Sequence, residues 1–327
     1  MRAVQVVTTT GPADVVVREV PDPTPGPEDV LVEVHTVGVS FPDLLLSRGQ
    51  YQLRPEPPFT LGVDYAGVVV SGGDAGQGQR FEPGQRVVGV GGYGGASELV
   101  AGPRQSTFAL PDAVSFEEAV ALPMNYLTAL FALDERAGLR EGETVLVHGA
   151  AGGVGTATIQ VAKGLGARVI AVASTEEKAA YARAAGADDA VLFDGFKDAV
   201  AELTGGKGVD VVLDVVGGDA FTDSLRILAP QGRLLVVGFA AGAGIPEVKV
   251  NRLLLNNIDV RGVGWGAYAF TRPDYLQQQW SQLLPMIESG AVKPPVGKVY
   301  PMAEFGRALA DMDDRAALGK LVVRLRD

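Results

Sequence analysis

The sequence predicts an α/β chain in which a doubly wound parallel sheet is joined to a barrel of short antiparallel strands. Three observations carry that expectation. From about Met124 to Gly264, apolar strand-like segments alternate with amphipathic helical ones, the pattern of a parallel sheet covered on both faces. The stretch before it, Met1 to about Leu122, is instead rich in β-branched residues, Gly and Pro, as short strands with frequent turns require. The length of 327 residues suggests two domains at ~150 residues each.

In the first zone, Val30 to Val39 forms a strand with partial alternation, and Gly67 leads into the strand residues Val68 to Val70. Ten glycines between Gly72 and Gly95 are interleaved with short apolar runs such as Val87-Val88. They read as turns between barrel strands, with a low-complexity linker as the alternative. In the second zone, strands are expected over 144–148, 168–172, 190–192, 209–213, 233–237 and 258–263. Helices are expected over 153–165, 176–185, 196–203 and 220–228. Val154, Ala157, Val161 and Leu165 recur every three or four residues and give the first of these helices one sheet-facing stripe. Gly166 and Gly186 follow helices as left-handed terminators. The tail adds helices near 274–289 and 303–311 and a strand at 320–324. It is too short to stand alone, so it is expected to rejoin the first domain. The domains are therefore 1–123 with 265–327, and 124–264.

Composition removes several function classes. There is no cysteine and there are two histidines, His35 and His148, which excludes disulfides, thiol catalysis and every Cys-containing zinc site. No metal is expected. A net charge of −11 opposes binding to nucleic acid or anionic lipid. The longest uncharged apolar run, 119–133, contains Pro123 and Asn125 and falls short of the ~20 residues that cross a bilayer. The opening residues lack the continuous apolar stretch of a secretory leader. The expectation is a soluble, cytoplasmic protein.

The informative motif is Thr144-Val-Leu-Val-His-Gly-Ala-Ala-Gly-Gly-Val-Gly-Thr156. Read as A-x-G-x-x-G, it puts Ala150 at the tight turn, Gly152 where backbone approaches a pyrophosphate, and Gly155 where helix packs on strand. The loop Ala151, Gly152, Gly153, Val154 and Gly155 would offer unpaired N–H groups and the positive end of a helix to phosphates. A strand precedes the loop, a helix follows, and a second strand begins at Arg168, so the motif predicts dinucleotide binding on a Rossmann sheet. The second strand ends at Ser174-Thr175, with Lys178 one turn further on. A carboxylate at this place would hold ribose hydroxyls and repel a 2′-phosphate, whereas a hydroxyl and an ammonium bind it. NADPH is favoured over NADH. The competing readings are Ser174 as an N-cap with Glu177 three residues on, Lys178 as a solvated charge, and Glu176 as a ribose ligand.

These residues resemble the zinc-free quinone oxidoreductases (zeta-crystallin-like) of the medium-chain dehydrogenase/reductase superfamily. The resemblance is carried by Val37-Gly-Val-Ser-Phe-Pro-Asp43, Leu61-Gly-Val-Asp-Tyr-Ala-Gly67, Glu82-Pro-Gly-Gln-Arg-Val87, Leu122-Pro-Met-Asn-Tyr-Leu-Thr128 and the glycine loop. It implies a discontinuous GroES-like β-barrel domain beside the Rossmann domain, and a homodimer. It implies further that Ser40, where relatives often carry Asn, makes a polar contact on the nicotinamide and substrate side, that Phe41 and Pro42 form a cofactor wall, and that Tyr51 lines the substrate pocket. Thr128 would reach the nicotinamide. Phe193 would stand where a Tyr commonly meets the adenosine phosphate, and Gly238-Phe239 and Val263-Gly264-Trp265 would border the nicotinamide. Asp64 falls near a metal-ligating segment of zinc-dependent relatives, but its Cys and His partners are missing.

Without a metal to stabilise an alkoxide, the acceptors that suit such a chain delocalise charge themselves. The expected function is hydride transfer from NADPH to a quinone or other α,β-unsaturated carbonyl, delivered by positioning. The proton would come from Tyr51 or water; Tyr51 as a pocket wall is the bland alternative. Two other functions compete: an enoyl-thioester reductase, with Arg48, Arg54, Arg272 and Lys293 as scattered phosphate contacts, and a non-catalytic NADPH-binding protein of the crystallin type. Asp43 and Asp214 are expected to cap or orient backbone, and His35 to be a structural strand residue. His148 is expected to fix the turn before the loop or to neighbour the cofactor. The strand at 258–263 is expected to pair with its copy in a second subunit.

Overall fold

The computed structural model describes residues 1–72, 79–272 and 274–326. Residues 73–78 of the glycine run, and the tail positions 273 and 327, lie outside the described residues. Along the chain, β1 (Arg2–Val6), β2 (Val15–Glu19) and β3 (Asp29–Val39) lead to α1 (Phe41–Ser47), followed by β4 (Phe59–Thr60), β5 (Asp64–Ser71) and β6 (Arg86–Val90). Then come β7 (Leu99–Pro103), β8 (Thr107–Ala109) and α2 (Phe116–Ala119). A helical segment follows in which α3 (Thr128–Leu130) is flanked by π-helical turns, Leu122–Leu127 and Phe131–Ala137. The alternating region is β9 (Thr144–His148), α4 (Gly153–Gly164), β10 (Arg168–Ala173), α5 (Glu176–Ala184), β11 (Asp189–Leu192), α6 (Phe196–Leu203), β12 (Val209–Asp214), α7 (Asp219–Ser224), β13 (Leu228–Val236), α8 (Asn251–Asn256) and β14 (Asp259–Gly262). The chain ends with α9 (Trp265–Ala269), α10 (Tyr275–Glu288), β15 (Val296–Pro301), α11 (Phe305–Asp313) and β16 (Lys320–Arg324).

Two compact units result. The first comprises Met1–Met124, Leu276–Trp280 and Pro294–Asp327. Its spine is β3, where Val30, Val32 and Val34 are fully buried between half-buried neighbours, the period-two pattern of a strand with one core face. Around it runs a seven-stranded sheet in the order β15-β16-β3-β5-β6-β8, with β7 also on β3; a three-stranded sheet has the order β2-β1-β4. All pairs are antiparallel except β15 with β16. A β-carbon on Gly67 would sit 1.9 Å from the Glu33 carbonyl oxygen, so only glycine lets β5 cross β3 this closely. One residue earlier in the pairing, His35 is the unmatched residue of a bulge, since Val34 faces Gly67 and Thr36 faces Ala66.

The second unit comprises Asn125–Tyr275 and Ser281–Lys293. Its sheet is wholly parallel, in the order β11-β10-β9-β12-β13-β14. Val145, Leu146, Val147, Val211, Val212 and Leu213 are fully buried, as expected for central strands covered on both faces. The chain runs outward from β9 through β10 to β11 and then returns to start the other half at β12. The direction therefore reverses between β9 and β12, and a crevice opens there beyond the strand ends.

Two expectations from sequence are corrected. The second unit does not close at 264. Segment 265–275 belongs to it because Tyr268 packs against Phe131 and Tyr275 (ring centroids 5.1 Å in both cases), and 281–293 because Gln160 bonds both the N–H and the carbonyl of Lys293 (2.9 Å each). The helix expected over 220–228 ends at Ser224, since Leu228 is already paired with Val209 in the sheet.

Candidate functional site

At the crevice of the second unit, the chain leaves β9 through Gly149, whose φ of +62° is left-handed and suits glycine. Gly152 then caps α4 without any side-chain hydrogen bond, so the N–H groups of Gly153, Val154 and Gly155 start a 12-residue helix with no intrahelical acceptor. Gly155 has no room for a side chain: its β-carbon would lie 2.2 Å from the Gly149 carbonyl oxygen and 2.7 Å from the Ala150 Cα. The loop is thus drawn tight against its own strand, and its donors and dipole are left for an anion. Ala151 is buried, while Gly152, Gly153 and Val154 are half-buried.

The ends of β12 and β13 meet this loop. A β-carbon on Gly149 would touch Val215 Cγ2 at 2.7 Å. Asp214 is buried and accepts the N–H groups of Val216 (2.7 Å) and Gly217 (2.9 Å) through Oδ1. Burial pushes its pKa up, against the lowering effect of those two N–H groups. Ala240 and Ala241 donate to the carbonyls of Val215 and Val216, which brings Gly238 and the exposed Phe239 to the same crevice. Val263 donates to Val236 at 2.9 Å, placing Val263, Gly264 and Trp265 at the outer end of the sheet. Trp265 is buried with its ring edge-on to Phe270. Thr128, 6% exposed, begins α3 in the same unit.

On the other side of the switch, Thr175 rather than Ser174 caps α5, accepting from the N–H of Lys178 at 3.3 Å. This corrects the capping alternative for Ser174; Ser174 is exposed, and Lys178, in the first turn of α5, is half-buried. Phe193 donates its N–H to Ala173 and stacks on Phe196 at 5.6 Å. His148 packs toward α6 and α7. Its Nε2 bonds Ser224 Oγ at 2.7 Å and its ring stands edge-on to Phe196. Burial holds its pKa down at about 4, so it is neutral at physiological pH.

In the first unit, Ser40 belongs to a closed polar cluster. Lys320 Nζ donates to Ser40 Oγ (2.6 Å) and to Asp64 Oδ2 (2.7 Å), while Ser40 Oγ donates to that same oxygen (3.0 Å). Asp64 Oδ1 accepts the Met124 N–H at 2.9 Å. Asp43 accepts the N–H groups of Ser40 (3.0 Å) and Gly62 (2.8 Å). Its pKa is raised to about 7 by burial, against the lowering effect of those N–H groups and of Lys320. Phe41 is exposed and Pro42 half-buried at the start of α1. Tyr51 is half-buried on the barrel core, and burial first, then the charge of Asp43, pushes its phenol upward. It stays protonated at neutral pH. His35 is half-buried, its ring 4.9 Å from Phe116.

Sequence reasoning missed Lys320 as the partner of Asp64 and gave Asn125 no part in the site. The signal for Asn125 was present: it is a lone amide inside an uncharged apolar run, and it falls in the π-helical turn before α3. Such turns concentrate at functional sites. Lys320 had no local signal, because its partner is 256 residues away in sequence.

Comparison with known proteins places these features in a family. Residues 26–112 match the family described as alcohol dehydrogenase GroES-like domain, and residues 153–289 match zinc-binding dehydrogenase. The chain is 39% identical over 315 residues to quinone oxidoreductase-like protein 2 of Bos taurus, covering 95% of this chain and 89% of that protein. Its fold matches the quinone oxidoreductase of Pseudomonas syringae pv. Tomato with a TM-score of 0.90, at 33% identity and 99% coverage of both chains. The quinone oxidoreductase of Thermus thermophilus, solved also in complex with NADPH, matches with a TM-score of 0.85 at 36% identity, covering 99% of this chain and 100% of that one. One matched family carries zinc in its description, and the residues around Asp64 do not fit that ion. The Asp64 and Asp43 oxygens are committed to N–H, O–H and ammonium donors, and a dication would sit against the buried charge of Lys320. The glycine loop does fit a dinucleotide, since its donors are uncapped and Gly155 admits no side chain that would fill the cradle.

Proposed function

The chain belongs to the quinone oxidoreductase family of the medium-chain dehydrogenase/reductase superfamily, and we propose that it is an NADPH-dependent reductase of quinones or other α,β-unsaturated carbonyls that works without a resident metal ion. The observation that carries the reading is the uncapped start of α4, drawn tight on Gly155. The amides of Gly153, Val154 and Gly155 would hold the pyrophosphate, with Ser174 and Lys178 on the 2′-phosphate and Phe193 beside the adenosine. Thr128, Gly238, Phe239, Val263, Gly264 and Trp265 would border the nicotinamide, which supplies a hydride when bound. Ser40, Phe41, Pro42 and Tyr51 are the proposed residues on the cofactor-wall and substrate side. A conjugated acceptor takes up the negative charge in its own π-system, so the protein's task is orientation rather than Lewis-acid activation. Of the cations considered for a thioester substrate, Arg48 is paired with Asp313 and Arg272 lies over the Tyr268 ring at 3.5 Å.

The test is oxidation of NADPH, followed by absorbance, with a p-benzoquinone, an open-chain enone, a crotonyl thioester and a saturated ketone. Turnover of the first two and neglect of the ketone is expected. Turnover of the thioester alone would move the assignment to enoyl-thioester reduction, and binding without any turnover would remove the catalytic reading. We place a homodimer contact on β14, which ends the described sheet and lies beside exposed Val250, Leu254 and Leu255 of the α8 region. A single species of monomer mass at micromolar concentration in sedimentation would refute that contact.

A further inference from the structure

Asn125 is 5% exposed, yet its side-chain Nδ2 has no hydrogen-bond partner among the described residues. A buried amide donor left unmade is costly, so its position calls for an acceptor that arrives from outside the chain. The carboxamide is aimed at the first residue of α4. A β-carbon built on Gly153 would lie 2.5 Å from Asn125 Nδ2, 3.1 Å from its Cγ and 3.3 Å from its Oδ1. Gly153 has little room for a side chain: that space is taken by the Asn125 amide, which stands directly beside the uncapped N–H groups. The amide is delivered there by the π-helical turn Leu122–Leu127. Tyr126, the next residue, is anchored by its hydroxyl on Gln160 Oε1 of α4 at 2.7 Å, which fixes this turn to the helix whose start Asn125 faces.

We propose that Asn125 Nδ2 donates a hydrogen bond to a non-bridging oxygen of the dinucleotide's diphosphate, adding one side-chain donor to the backbone donors of the glycine loop. The inference rests on the dinucleotide reading of that loop and assigns it a residue. A neutral donor suits the position: it meets the charge of a diphosphate with a charge-assisted bond and leaves the buried site uncharged when empty, where a lysine would need a partner.

The test compares the full-length wild type with N125A and N125D, measuring binding by calorimetry for NADPH, 2′-phospho-ADP-ribose and adenosine 2′-monophosphate. Folding is checked by circular dichroism and melting. N125A is expected to weaken NADPH and 2′-phospho-ADP-ribose by the same factor, roughly ten- to a hundredfold for a hydrogen bond to a charged group. N125D, nearly isosteric, should weaken both more, because it sets a carboxylate against the diphosphate. Adenosine 2′-monophosphate, which has no diphosphate, should bind all three proteins alike; a general collapse of the crevice would weaken it too and would overturn the assignment. If N125A does not fold, N125D alone decides. NADPH affinity within twofold of wild type in the folded variants overturns the role of Asn125, as does a loss for NADPH that 2′-phospho-ADP-ribose does not share. Failure of the wild type to bind either diphosphate ligand would instead bring down the dinucleotide reading, and this proposal with it.

Discussion

Replacing Lys320 by Met tests whether the buried cluster of the first unit holds that unit together. Lys320 is 3% exposed and Asp64 fully buried, so the change strands a carboxylate in the interior. Removing one partner of a buried pair costs about 3–5 kcal/mol. Asp64 would keep the Met124 N–H on one oxygen and the Ser40 hydroxyl on the other, which puts the expected loss at the lower end, about 3 kcal/mol. At roughly 2–4 °C per kcal/mol for a unit of this size, melting should fall by about 6–12 °C. The chain has two tryptophans, and Trp280 stacks on Phe108 inside the first unit at 4.7 Å. In a W265F background, urea unfolding followed by fluorescence therefore reports this unit. The double variant D64N/K320M removes both charges and keeps a carbonyl for the Met124 N–H, so it should regain at least half of the loss. The double-mutant cycle should then give a coupling of about 2 kcal/mol, and added salt should not erase it, since screening acts weakly on buried pairs. A loss below ~1 kcal/mol with no coupling would show that the desolvation of both ions cancels their attraction, and the reasoning would fail.

Three further outcomes follow from the geometry. Gly155→Ala should abolish measurable NADPH binding and lower the melting temperature, because its β-carbon meets Gly149 backbone at 2.2 Å where no side chain can yield; calorimetry and melting check both. Lys178→Ala should weaken NADPH by roughly tenfold and leave NADH within about twofold, read by competitive binding. His148 is held down at about 4 from 6.5, so between those values the unfolded chain binds more protons and stability falls as pH drops; His148→Gln should remove up to ~3 kcal/mol of that acid loss. Asp43, raised to about 7, has the opposite sign: the folded chain binds the proton more tightly, and stability falls as pH rises from about 4 to about 7. The His148 effect is therefore read as the difference between wild type and variant in urea unfolding across pH.

The parallel sheet was legible because each of its central strands is buried on both faces, so Val145 to Val147 and Val211 to Leu213 are apolar without interruption and carry a signal no surface strand could give. The glycine loop was legible for a related reason: Gly149 and Gly155 answer steric demands that admit only glycine. The boundary of the second unit was not legible, because it depends on the packing of Tyr268 on Phe131 and on Gln160 reaching Lys293, contacts with no local pattern. The shortening of α7 was hidden as well, since pairing of Leu228 with Val209 overrides the helical preference of the residues before it.

The polar cluster also bears on why Ser40 stands at the start of α1. Its N–H is bound by Asp43, its hydroxyl donates to Asp64 and accepts from Lys320, so one small residue joins α1 to both β5 and β16. Gly38, two residues earlier, admits no β-carbon, which would lie 2.4 Å from Lys320 Cε and 2.5 Å from the Val120 carbonyl oxygen. The ammonium is thus packed as tightly as it is paired. Phe41 and Pro42 follow directly at the start of α1, Phe41 exposed and Pro42 half-buried. A longer amide at position 40 would have to displace Lys320 from one of its two acceptors. Serine at this position therefore fits a cluster in which Lys320 and Asp64 already occupy the remaining space.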